Sequence, residues 1–86
     1  MKSSAFTVTT TATQIVAPDN QNRTVYLHVI GNATVYLGGE DVTSSNGLAT
    51  EKHTTPFEMF LPINQSLYAV VAADTENIRV LIPDAD

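Results

Sequence analysis

The sequence predicts an all-β protein, a small antiparallel β-sandwich or β-barrel of about seven to eight short strands. Three observations predict it. Thr, Val and Ile make up about 30% of the chain, and their branched Cβ atoms stiffen χ1 in a way that suits a pleated surface. Nowhere do apolar residues recur at i, i+3, i+4 and i+7 over a helix-length stretch free of Gly, Pro and Asn. Short apolar segments instead alternate with clusters of turn formers, the spacing of a meander or Greek key and not of βαβ units.

The candidate strands are AFTVTT, TQIVA, RTVYLHVI, ATVYLG, PFEMFL, SLYAVVA and NIRVLI, separated by PDNQN, GN, GGEDVTSSNG, PINQ and ADTE. The opening MKSSAFTVTTTAT, residues 1–13, carries only Phe6 and Val8 as large apolar residues past Met1, and reads as an edge strand or an N-terminal arm. Gly31-Asn32 sits between two strong strands, and both residues tolerate positive φ. This predicts a tight hairpin pairing Arg23–Ile30 with Ala33–Leu37. Gly38-Gly39 reads as a bulge or sharp strand exit, and Asn46-Gly47 as the turn of a polar crossover.

Several strands are apolar on both faces. In RTVYLHVI, Val25, Leu27 and Val29 share one side, while Tyr26, His28 and Ile30 share the other. PFEMFL places Phe60 opposite Phe57, Met59 and Leu61, and SLYAVVA places Tyr68 and Val70 opposite Leu67, Ala69 and Val71. A single small sandwich has one interior, so a surplus apolar face calls for a covering chain. Self-association as a closed cyclic oligomer is the economical expectation.

At 86 residues the chain is one domain, 1–86. It has no cysteine, which removes disulfides, thiolate metal sites and Cys nucleophiles together. The formal charge is −5, and Lys2, Arg23, Lys52 and Arg79 are too few and too scattered to track a nucleic-acid backbone. No run approaches the roughly 20 apolar residues of a membrane span, and the N-terminus has no signal-peptide core. The expectation is a soluble protein made in a cytoplasm, with no direct nucleic acid and no membrane among its partners. The Asn-x-Ser/Thr triplets at Asn22, Asn32 and Asn64 read as turn asparagines.

A search for chemistry finds no active site. His28 lies mid-strand and His53 in a loop, neither with a partner at metal-ligand spacing. The first reads as a packing or interface residue, the second as solvated. DVTSSNGLATEK resembles a calcium loop until Gly47 falls one place late and Lys52 occupies the position of the bidentate Glu. Gly38-Gly39 lacks the continuation that a phosphate cradle needs. Glu40-Asp41 and the pair Asp84 and Asp86 read as solvated charges, and Ser44, Ser45 and Ser66 have no nucleophile elbow around them. The chain is expected not to be an enzyme and to need no cofactor or metal.

Taken together, the Thr-rich first strand, TQIVAPDNQNRTVYLHV, VYLGGEDVTSSNG over Val35–Gly47, and LYAVVAADTENIRVLI resemble small β-rich virion proteins of tailed bacteriophages. The resemblance covers nearly the whole chain. It implies a structural virion protein without catalytic residues, above all a capsid decoration or cement protein that sits on the capsid surface as a homotrimer, bound to the major capsid protein. Other similar proteins are receptor- or carbohydrate-binding modules of head fibres and tails, and head-tail connector or tail components. For a glycan site, Tyr36 beside Glu40 and Asp41 is the nearest approach. Aromatic residues give much contact area for little rotamer entropy, so the expected subunit contacts are Tyr26, His28, Tyr36, Phe60 and Tyr68. If the N-terminus acts as an arm, Phe6 and Val8 are its capsid contacts.

Overall fold

The computed structural model describes residues 1–83. Asp84 and Asp86 lie outside the described residues. The chain forms β1 (Lys2–Val8), β2 (Thr13–Val16), β3 (Arg23–Val29), β4 (Val35–Gly38), β5 (Leu48–Thr50), β6 (Phe57–Leu61), β7 (Leu67–Val71) and β8 (Glu76–Ile82). They build two four-stranded antiparallel sheets, in the order β1-β8-β3-β6 and β2-β7-β4-β5. We call these the first and second sheet.

The pairing is nested. β1 pairs with β8, β2 with β7, β3 with β6 and β4 with β5, so each strand meets its counterpart counted from the other end of the chain. The chain is in effect one long hairpin, rolled until β3 also meets β8 and β4 also meets β7. That is the strand order of a jelly roll.

Alternation sets the interior. In β3, Arg23, Val25, Leu27 and Val29 are buried while Thr24, Tyr26 and His28 are half-exposed; in β8, Glu76, Ile78 and Val80 are buried while Asn77 and Arg79 are exposed. The inward residues of both sheets merge into one apolar cluster, in which Leu27, Leu37 and Ile78 are the largest fully buried side chains. Each such side chain contributes about 1.5–3 kcal/mol by leaving water.

Two sequence expectations are corrected here, and one left between alternatives is resolved. Gly31-Asn32 does not turn a hairpin: β3 belongs to the first sheet and β4 to the second, so the connection is a crossing between sheets. No glycine has a positive φ among the described residues. Gly31 is a glycine for want of space, since a Cβ there would run into the carboxylate of Glu76. That carboxylate accepts hydrogen bonds from Gly31 N (3.0 Å) and Ala33 N (2.8 Å) and so forms the crossing. Next, residues 1–13, read as an edge strand or an arm, supply an edge strand over Lys2–Val8. β1 pairs along its whole length with β8 as the edge strand of the first sheet, Val8 is wholly buried, and Phe6 packs partly buried against the core. Last, the polar crossover contains β5, a short strand paired with β4.

Candidate interaction surface

The outer faces of the two sheets differ in how they are covered. On the second sheet, Tyr36, Tyr68 and Val70 alternate outward, with Tyr36 opposite Val70. Val70 is nevertheless buried, as is Val42 in the loop between β4 and β5, and both stand apart from the central cluster. Val42 Cγ2 lies against Gly38 and Gly47, and Gly47 lies against Tyr36, so this loop is folded onto the sheet. Tyr36 and Tyr68 are half-exposed, as Tyr26 and His28 are on the first sheet.

The loop holds its shape with its own oxygens. Asn46 Oδ1 accepts from Thr43 N (2.7 Å), Asn46 Nδ2 donates to Asp41 O (3.4 Å), and Thr43 Oγ1 accepts from Ser45 N (3.2 Å). Gly47 N and Asn46 N both donate to Thr43 O. Asn46 Oδ1 and Thr43 Oγ1 are thus engaged in turn geometry. On this sheet Val70 and Val42 are buried within the chain, while Tyr36 and Tyr68 keep part of their surface exposed.

On the first sheet the outer face stays open. Ser3, Leu81, Tyr26 and Glu58 form one row across β1, β8, β3 and β6, and Ala5, Arg79 and His28 form the next. Phe60, paired with Thr24, stands 61% exposed. A shallow groove of about 470 Å³ runs over this face between Tyr26, Leu81, Arg79, His28 and Pro56. His28 Nε2 donates to the carbonyl oxygen of His53 (2.9 Å), tethering the loop between β5 and β6 so that Pro56 forms the groove's rim. One acid, Glu58, and one base, Arg79, border an apolar middle. The five aromatic and histidine candidates therefore divide: Tyr26, His28 and Phe60 share this open face, while Tyr36 and Tyr68 are on the opposite side of the molecule.

Two charged residues that the sequence reading passed over are buried inside. Glu76 is 8% exposed and Arg23 6%. Besides Gly31 N and Ala33 N, the Glu76 carboxylate accepts from Asn77 N (2.8 Å). Its pKa is lowered, first by the Ala33 bond and then by the Asn77 bond, with Gly31 and the charge of Lys52 helping and burial opposing. Arg23 Nη2 donates to Ala17 O (3.0 Å) and Gln65 O (3.3 Å), joining the loop that precedes β3 to the one that precedes β7. A signal for both was present: each is in phase with the buried apolar residues of its strand.

Among the described residues no three of His, Asp or Glu gather as a metal site, and no helix is long and apolar enough to cross a membrane. Compared with protein-family models, with curated proteins and with solved structures, the chain finds no significant match.

Proposed function

We propose that this is a structural protein of a tailed-bacteriophage virion, a capsid decoration protein that forms homotrimers on the major capsid protein and stabilises the shell. The reading rests on the sequence resemblance, and one structural observation supports it most: the open apolar outer face of the first sheet, with Phe60 61% exposed at its end. Apolar patches rimmed by polar residues mark interaction surfaces, and an aromatic anchor beside a groove is what an interface hot spot requires. Glu58 and Arg79 on the rim leave the face nearly neutral, which suits a protein partner better than a polyanion. The mechanism is adhesion, in which weak contacts repeated around a symmetric particle add through multivalency.

In light scattering over a concentration series, the wild-type chain is expected to associate to a trimer, alone or on capsids. Phe60→Glu is expected to raise the concentration needed for association about tenfold or more, the equivalent of losing about 1.4 kcal/mol per contact. Because Phe60 packs little in the monomer, its melting temperature should stay within a few degrees of wild type, as surface substitutions change stability by about 0.5 kcal/mol or less. A wild-type chain that stays monomeric and leaves capsids unbound would overturn the reading.

A further inference from the structure

At one end of the sandwich the two sheets part between β1 and β2, leaving a half-open cleft of about 470 Å³. Its walls are the inward side chains of Phe6, Ile15, Val16, Val80 and Ile82. Arg23 also lines it. This guanidinium is more than nine-tenths buried, its acceptors are two neutral carbonyls, and Nε has no partner among the described residues. Asp19, on the same lining, is turned to its own loop, where Oδ1 accepts from Asn20 N (2.6 Å). A buried cation held only by neutral groups is costly unless an anion joins it. Lys2 at the mouth adds a second positive charge.

We propose that this cleft is a binding site for an alkyl carboxylate, with the carboxylate on Arg23 and the hydrocarbon chain along Phe6, Ile15 and Val80. A carboxylate there would give the Arg23 guanidinium the anionic partner that its two carbonyl acceptors do not provide. A hydrocarbon tail would lie along the apolar part of the lining, with Ser4 and Gln14 beside it as the polar part.

The test is a titration of the full chain with decanoate and, separately, decanol, followed by amide and methyl NMR. Decanoate is expected to shift the resonances of Phe6, Ile15, Val80 and Ile82 with half-saturation at about 2 mM or below, a range set by about −0.3 kcal/mol or better for each of its roughly twelve heavy atoms. Decanol should bind about tenfold more weakly or worse, since it lacks the charge. Arg23→Gln should weaken decanoate by a similar factor and leave decanol unchanged. If Arg23→Gln does not fold, Ser4→Phe, which places a ring from β1 into the cleft, should abolish binding of both while the β-sheet amide pattern is retained. Equal affinity for decanoate and decanol, or no shift at 1 mM decanoate in the wild type, would overturn the proposal. Shifts confined to the outer groove around Tyr26 and Leu81 would overturn it as well.

Discussion

Replacing Glu76 with Ala is expected to cost about 2–3 kcal/mol, because backbone donors that are partly or wholly out of water lose their acceptor at once. Gly31 N, Ala33 N and Asn77 N all point at this one carboxylate, which is 8% exposed. The first two donors lie in the crossing between β3 and β4, more than 40 residues away in sequence. Losing the side chain therefore loosens the point where the rolled hairpin changes sheets, and not merely the start of β8. For a domain of this length the loss corresponds to a fall in melting temperature of about 10 °C or more. Glu76→Gln separates charge from shape. Its single amide oxygen can serve either the donors that meet Oε1, Gly31 and Asn77, or the Ala33 donor that meets Oε2, and its NH₂ faces a donor in either case. An intermediate cost, about 1–2 kcal/mol, is expected.

The same carboxylate sets part of the acid sensitivity. Its pKa is lowered from the ordinary 4.5, chiefly by the Ala33 and Asn77 amides. Unfolding then takes up a proton in the window below 4.5, so the stabilisation is present above that pH and fades as pH falls through the folded-state value. Glu76→Gln should flatten the denaturation midpoint against pH in that window, and its deficit relative to wild type should shrink as acid removes the wild-type advantage. Chemical denaturation at a series of pH values between 6 and about 2.5 measures both. Parallel curves for wild type and Glu76→Gln across the window would sink the assignment.

What the sequence disclosed and what it withheld divide along the range of the forces involved. Strand existence depends on alternation within a few residues, so β3, β6, β7 and β8 and their inward faces were legible from Val25, Leu27 and Val29 and their equivalents. Which strands pair was not. Gly31-Asn32 satisfies every local rule for a hairpin turn, yet Glu76, from the far end of the chain, claims the amides of Gly31 and Ala33, and a local pattern holds no information about that. β5 escaped because its three residues, Leu48–Thr50, are too few to show a period. β1 looked detachable because Lys2, Ser3 and Ser4 hide an alternation that Phe6 and Val8 complete, and its pairing with β8 decides the matter. For the interaction surface, the aromatic residues were found but their division was not. Val42 lay in a stretch read as polar, and without knowing that it folds back, the second sheet's outer face looked as bare as the first's.

Val42 also carries the other large effect, expected at Gly47. A Cβ at this position would stand 2.6 Å from Tyr36 Cβ, 2.8 Å from Val42 Cγ2 and 3.1 Å from Thr43 O. Backbone dihedrals are not the issue, since Gly47 does not have a positive φ. Tyr36 Cβ is fixed to the backbone of β4 and cannot yield, and Val42 is β-branched with little rotamer freedom. Gly47→Ala must therefore lift the loop from the second sheet, adding strain to the re-exposure of Val42, for about 2–4 kcal/mol in total. The nearest neighbour of the Cβ in Gly38→Ala is Val42, at 2.8 Å from Cγ2 and 3.0 Å from Cβ. The two substitutions should then respond differently to Val42→Ala. Trimming Val42 relieves the closest contact made by Gly38→Ala but leaves the Tyr36 contact made by Gly47→Ala. A double-mutant cycle should therefore show strong favourable coupling between positions 38 and 42 and a weaker one between 47 and 42. Urea denaturation of the single and double variants gives both coupling energies. Equal coupling would mean that Tyr36 moves with the loop. Either single variant should also uncover Val70 and the flank of Tyr36, giving the second sheet an open apolar face like that of the first. Increased binding of a hydrophobic dye by Gly47→Ala, with native β-sheet circular dichroism retained, would report that exposure, and it follows from a single missing Cβ that this molecule keeps one of its two outer faces closed.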